Sequence, residues 1–228
     1  MEDSSIINKS LFVLGGPNGA GKSTASKKFF KYFPDLKDVY INPDLIQQES
    51  GCGPRVAGRQ AIEKAKNLMI RGEPTVMCET TLAGKIPYLQ MAREYGYKII
   101  LLFIMLDSVK QGKEHVSERK EKGGHFVEET DQERHFYYGL LNLGTVPLEC
   151  DEWRIYRNAN GAYKLIAKGQ GSNIGDIRDK EQFAKLAGMR ADVLENRLPS
   201  LIKSKSVQER WLSSPHIFAS IPTIASGR

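Results

Sequence analysis

The stretch "LGGPNGAGKST", Leu14–Thr24, decides how this chain folds. Gly16 to Ser23 reads G-P-N-G-A-G-K-S, a full match to the pattern G-x-x-x-x-G-K-[ST]. The apolar run "SLFVLGG" precedes it and the helical run "STASKKFFKYF" follows, with Pro34 just beyond that run's end. Strand, glycine-rich turn and helix form the setting in which this pattern cradles phosphate. Gly16, Gly19 and Gly21 let backbone N–H groups turn inward onto phosphate oxygens, and Pro17, Asn18, Ala20 and Thr24 complete the loop. Lys22 then reaches the β- and γ-phosphates of a nucleotide, and Ser23 offers its hydroxyl to Mg²⁺.

Outward from the loop, strand-like and helix-like runs alternate. "DVYINPD", "PTVMCETT" and "YKIILLFIML" read as strands. Between them, "VAGRQAIEKAKNLMIRG" carries Ala61, Ile62, Ala65, Leu68 and Met69 on one helical face, with Gly72 as its stop. "KIPYLQMAREYG" reads as another helix. "SVKQGKEHVSERKEKGG" and "VEETDQERHFYYGLLNLG" read as a helical hairpin, and "EWRIYRNANGAYKLIAKG" as strand-like runs about a turn at "NANG". Alternating strands and helices predict an α/β fold: a P-loop NTPase with a mainly parallel sheet covered on both faces. Residues 1–170 are expected to form this core, with a helical-hairpin lid at about 108–142. Residues 171–228 are expected to form a helical C-terminal extension, ending in the Ser-, Pro- and Ala-rich, poorly ordered "SSPHIFASIPTIASGR".

Composition narrows the function classes. The chain has 228 residues, 40% hydrophobic and 26% charged, with a formal charge of +6, which suits a globular domain with polyanionic ligands. It shows no dense basic stripe of the kind that reads nucleic acid. Cys52, Cys78 and Cys150 make neither a disulfide framework nor a zinc spacing, and Cys78 reads as a buried thiol. The longest apolar run, Ile99–Leu106, is too short to span a bilayer, and "MEDSSIINKS" lacks the pattern of a secretory signal. These readings place the protein in the cytoplasm, away from membranes.

The loop alone does not choose a chemistry. It is very close to the loop of ABC-transporter ATPases, but the LSGGQ-like signature and a strand ending Asp-Glu are missing; "IMLDS" ends at Asp107 with no Glu after it. No Asn-Lys-x-Asp guanine-reading motif is present. In an open parallel sheet, ligands sit beyond the carboxyl ends of the strands. "INPD" places Asp44 there, and "CETT" places Glu79, Thr80 and Thr81. Carboxylates facing a triphosphate hold Mg²⁺, or bind a hydroxyl-bearing acceptor and take its proton. The plainer readings are an Asn42 N-cap with Pro43 at N1 and Asp44 as a first-turn acid, and a Thr80 or Thr81 cap on the helix near Lys85. Glu79, ending an apolar run, needs a cation or hydroxyl partner if buried.

The hairpin "HVSERKEKGGHFVEETDQERHF", His115–Phe136, breaks at Gly123-Gly124. Arg119 and Arg134 flank the break and would fork onto a transferring phosphoryl group if the hairpin folds over as a lid. One such contact can be worth on the order of 10³-fold in rate. The alternative is a solvated hairpin, with Glu118 and Lys122 as an ordinary i,i+4 pair. His125, a loop histidine beside glycines, is left outside the chemistry.

In this order, "GPNGAGKST", "INPD", "ETTLAG" and "SERKEKGGHFV…ER" resemble the zeta-toxin family of P-loop kinases, most of all its ETTL-type branch, also labelled ABC-type ATPase on account of the loop. The resemblance covers about residues 10–170. Zeta toxins phosphorylate the 3′-hydroxyl of the amino sugar of UDP-N-acetylglucosamine with ATP or GTP and Mg²⁺. The resemblance therefore implies that Lys22 binds phosphate and that Asp44 orients and deprotonates the acceptor hydroxyl. It implies that Glu79 and Thr81 contact the substrate, and that Arg119 and Arg134 serve the lid. It also implies a further acid at Glu63, although a helical wheel turns Glu63 away from the Ala61, Ala65 and Leu68 face. Any antitoxin is expected to be a separate protein. The competing reading is an ATPase module that uses hydrolysis to move or regulate a partner; a further one is a regulatory nucleotide-binding protein with no turnover.

Overall fold

The structure, a computed structural model, describes residues 9–84, 86–121, 127–159 and 161–219. Its centre is a seven-stranded sheet in the order β2-β3-β1-β4-β5-β6-β7. The strands are β1 Ser10–Gly15, β2 Tyr40–Ile41, β3 Thr75–Thr80, β4 Lys98–Met105, β5 Glu152–Ala159, β6 Ala162–Gln170 and β7 Asn173–Ile177. The first five of these pair in parallel, while β6 and β7 add antiparallel strands at one edge. The sheet is therefore mainly parallel, as the alternating pattern predicts. β1 and β4 carry Leu11, Val13, Ile99, Leu101 and Phe103 into a dry core, which is why they read as continuous apolar runs rather than alternating ones.

The helices are α1 Lys22–Tyr32, α2 Pro43–Ser50, α3 Pro54–Arg71, α4 Pro87–Glu94, α5 Val109–Glu121, α6 Glu129–Thr145 and α7 Lys180–Asp192, followed by the short α8 Leu198–Leu201 and α9 Lys205–Ser213. α3 buries Ala57, Ala61, Ala65, Leu68 and Met69, and Gly72 ends it in a left-handed conformation whose N–H bonds back to Met69 and Leu68 carbonyls. α2 begins as read from "INPD": the Asn42 side chain accepts from the Asp44 N–H and Pro43 occupies the first turn. α4 begins at Pro87 with no side-chain cap. Thr80 and Thr81 do not cap it; their hydroxyls accept from the N–H groups of Leu82 and Ala83.

The sheet runs on past Gln170. β7 lies within the segment expected to be a helical extension, and helix resumes only at Lys180. α7 buries Phe183 and Leu186, which join the same core as β1 and β4. The short polar-looking "NIGDI" gives little strand signal because it is an edge strand with one partner, β6. Among the described residues, no helix is long and apolar enough to cross a membrane. Cys78 and Cys150 are buried free thiols.

Candidate nucleotide and acceptor site

β1 delivers the phosphate loop to the carboxyl edge of the sheet, beside the ends of β3 and β4. Gly16, Gly19 and Gly21 have φ of 147°, 79° and 89°, values open to glycine and costly to other residues. Each is also packed too closely for a side chain: a Cβ would fall 2.5 Å from the Ile104 carbonyl at Gly16, from the Gly112 carbonyl at Gly19, and from Asn158 Nδ2 at Gly21. The loop is thus gripped from several elements. α5 grips it through His115, whose Nδ1 lies 2.9 Å from the Gly19 carbonyl. α6 grips it through His135, whose Nδ1 lies 2.8 Å from Asn18 Oδ1. The β5–β6 hairpin grips it through Asn158, which donates to the Ala20 carbonyl at 3.1 Å, and Tyr163, which donates to the Gly21 carbonyl at 2.8 Å.

Lys22 is buried and donates to the Gly16 and Pro17 carbonyls at 2.8 and 3.0 Å. Its ammonium stands 3.9 Å from Glu79 Oε1. Burial pushes the Lys22 pKa below the ordinary lysine value; Glu79 and Asp44 work against that, and Arg119 adds to it. Glu79, at the end of β3, is only 6% exposed. Tyr40 donates to its carboxylate, Asn42 Nδ2 donates to the Tyr40 hydroxyl at 3.2 Å, and Ser23 Oγ lies 3.4 Å from both carboxylate oxygens. The buried acid thus has the cation and hydroxyl partners that burial demands. Burial and then the Glu79 charge push the Tyr40 pKa well above the ordinary phenol range. The Ser23 hydroxyl and the Glu79 carboxylate are hard oxygen donors side by side, a set that suits Mg²⁺.

Two crevices open from this centre. One, of about 480 Å³, runs along Gly19, Lys22, Ser23 and Thr24 to His115, Arg119, Asn158 and Gly161. The other, of about 320 Å³, lies between α2, α3, the end of β3 and α6, and its wall includes Thr81, Tyr88 and His135. Lys22, Asp44 and Glu79 line both. After β3 the chain turns at Leu82, a buried residue at φ 60°; so bulky a side chain is uncommon in that region. That turn leaves Thr80 and Thr81 on the crevice wall.

The expected site residues divide. Gly16 to Thr24, Asp44, Glu79, Thr81 and Arg119 gather about the crevices. Glu63 does not: it is exposed on α3, whose Ala57, Gly58 and Ile62 line the second crevice instead. The helical period puts residue 63 on the far side from those positions. Arg134 also stays away. It is more than half exposed and bonds to Asp131 at 2.8 Å, one turn earlier on the same helix. The buried stripe of α6 runs through Gln132, Phe136, Gly139, Leu140 and Leu143, so the flank facing the crevice belongs to His135. Gly123, Gly124, His125 and Lys122, where the hairpin was read to turn, lie outside the described residues. Tyr40, His115, His135, Asn158 and Tyr163 touch Glu79 or the loop, and no sequence motif singles them out. For His135 the signal was present, because i±3 and i±4 spacing from Gln132 and Gly139 puts it beside the buried face. The others are reached only through tertiary packing.

A phosphate loop at the carboxyl edge of a mainly parallel sheet, in this strand order, defines a P-loop fold, and it is the fold of the zeta-toxin-like P-loop kinases. A chain of the AvrRxo1-ORF1:AvrRxo1-ORF2 structure with sulphate ions superposes at TM-score 0.62, with 18% identity over 90% of this chain and 74% of that one. The AvrRxo1-ORF1:-ORF2 structure with ATP gives TM-score 0.60, with 17% identity over 95% and 80%. A structure of the PezAT chromosomal toxin-antitoxin system of Streptococcus pneumoniae gives 0.56, with 18% identity over 89% and 90%. No family model matches the sequence. An uncharacterized protein of Haemophilus influenzae strain Rd is 31% identical over 128 residues, 54% of this chain and 88% of that protein, and the chain belongs to the same family as that protein.

Proposed function

We propose that the protein is a phosphotransferase that moves the γ-phosphoryl group of ATP to a hydroxyl of a small molecule, a UDP-amino sugar such as UDP-N-acetylglucosamine. The carrying observation is that Lys22, Asp44 and Glu79 form a wall common to both crevices. A donor along the phosphate loop and an acceptor against Thr81 and His135 would meet there. The ATP present in one structure of the same fold supports the donor.

The residues divide the work. The loop N–H groups and Lys22 would hold the triphosphate, and Arg119 would meet charge on the transferring group. Ser23 and Glu79 would hold Mg²⁺, which neutralises phosphate charge when bound. Asp44 would orient the acceptor hydroxyl. As its oxygen bonds to the γ-phosphorus, the bond from that phosphorus to the leaving ADP oxygen breaks and the hydroxyl proton passes to the Asp44 carboxylate. The toxin–antitoxin setting of the PezAT structure supports a separate antitoxin as a partner of this chain too. The phosphate loop and acid-lined crevice support a cytoplasmic enzyme, where ATP is supplied.

The test is incubation with Mg-ATP and UDP-N-acetylglucosamine, followed by mass analysis. The expected product is one phosphate heavier, and Asp44→Asn should abolish it while ATP binding persists. ATP turnover that needs no acceptor and survives Asp44→Asn would instead establish the hydrolytic module. Absence of product with every nucleotide sugar tried would end the UDP-sugar assignment.

A further inference from the structure

His135 stands on the wall of the second crevice with Lys22, Asp44, Glu79 and Thr81. Its Nδ1 is 2.8 Å from Asn18 Oδ1. A carboxamide oxygen only accepts, so Nδ1 carries the ring proton. In a neutral imidazole the other nitrogen, Nε2, is then a bare acceptor. No described residue bonds to Nε2. Burial pushes the ring's pKa below the ordinary histidine value; Arg134 and Lys22 add to this, while Asp131 and Asp44 oppose it. Those groups come from α6, α1 and α2, and Glu79 at the end of β3 shares the same crevice wall.

We propose that His135 reads the acceptor: Asn18 holds it as the Nδ1–H tautomer, and Nε2 accepts a hydrogen bond from a donor group next to the hydroxyl that is phosphorylated. The inference rests on the phosphotransferase reading and adds a substrate class. Asp44 takes the donor that reacts. Glu79 is already engaged by Tyr40 and lies against Ser23. A second donor on the substrate, a vicinal hydroxyl or an amide N–H, is what Nε2 is placed to accept. An alcohol with no such neighbour would leave a desolvated acceptor unpaired, which a polar site penalises. Because Asn18 belongs to the phosphate loop, the same contact also keeps the acceptor in register with the triphosphate.

His135→Asn separates the two bonds. The shorter amide keeps an N–H near the Nδ1 position for Asn18 and removes Nε2. With Mg-ATP and UDP-N-acetylglucosamine, the expected result is an acceptor KM raised about tenfold, the worth of one hydrogen bond, with the ATP KM unchanged. An unchanged acceptor KM, or an equal rise in both KM values, overturns the proposal, since the latter marks a brace for the loop and nothing more. If the wild type phosphorylates no UDP-N-acetylglucosamine, it is the choice of acceptor that fails. The ring ¹⁵N spectrum of wild-type protein with Mg-ATP at neutral pH then decides the role of His135. An Nδ1-protonated ring sustains it, and an Nε2-protonated or doubly protonated ring overturns it.

Discussion

Glu79 shows what single residues contribute here. A carboxylate this deeply buried is held by one donor from β2, one hydroxyl from α1 and a lysine ammonium. Removing one donor leaves the charge in place and its solvation poorer, which costs more than the lost bond alone. Tyr40→Phe is therefore expected to lower stability by about 1–3 kcal/mol, read from denaturant melts, and to weaken Mg-ATP binding more than binding of metal-free ATP. Equal weakening of both would place Tyr40 outside the metal-binding arrangement. Arg134 is a second case, a side chain that lies away from both crevices. Its charge and its position in a charged hairpin pointed to phosphate, but on α6 its near neighbour is Asp131.

At the scale of elements, the phosphate loop is stiffened from outside. The β5–β6 hairpin fixes the Ala20 and Gly21 carbonyls, and α5 presses its backbone against the loop at Gly112. A loop already held in place loses less freedom on binding phosphate. Tyr163→Phe deletes one hydroxyl bond while keeping the ring, so ATP affinity is expected to fall by about tenfold or less in calorimetric titration, with the melting temperature close to wild type. An unchanged affinity would show that the hairpin does not shape the loop. Gly112→Ala makes an opposing pair of effects. Alanine favours the helix by about 1 kcal/mol, but its Cβ would sit 2.9 Å from the Asn18 carbonyl. The expected outcome is weaker nucleotide binding in a protein of undiminished helicity, checked by circular dichroism beside the titration.

Across the whole molecule, Asp107 ties the end of β4 to β5 and α7. Arg157 Nε donates to it at 3.1 Å and Lys185 Nζ at 3.0 Å. Partial burial pushes its carboxyl pKa up, but the hydrogen bonds and charges of Arg157 and Lys185 outweigh this and leave it below the ordinary value. A carboxyl depressed in the folded state stabilises fully above its unfolded pKa of about 4 and loses that contribution as pH falls through the folded value. Asp107→Asn is expected to cost about 1 kcal/mol at neutral pH, since the partners are partly solvated, and the gap to wild type should close in acid. A gap that persists at low pH would mean the loss is one of packing rather than charge.

How much of this could be read beforehand differs by feature. The phosphate loop, the parallel sheet and the cap at Asn42 were legible because each rests on neighbours in sequence: a glycine spacing, a run of apolar residues, a side chain bonding two residues on. Asp44 and Glu79 were legible because strand ends share one edge in such a sheet. β7 was obscured by its brevity and its single partner. Tyr40, Asn158 and Tyr163 were illegible because their partners lie 39, 138 and 142 residues away. The sequence by itself determined the strand, glycine-rich loop and helix of the phosphate-loop pattern and which strand ends lie beside it. Tertiary packing alone decided which flank of α6 faces the crevice, and so put His135 rather than Arg134 on its wall. A helix's rotation about its axis follows from the apolar stripe it must bury, and that is settled only when the rest of the core is present.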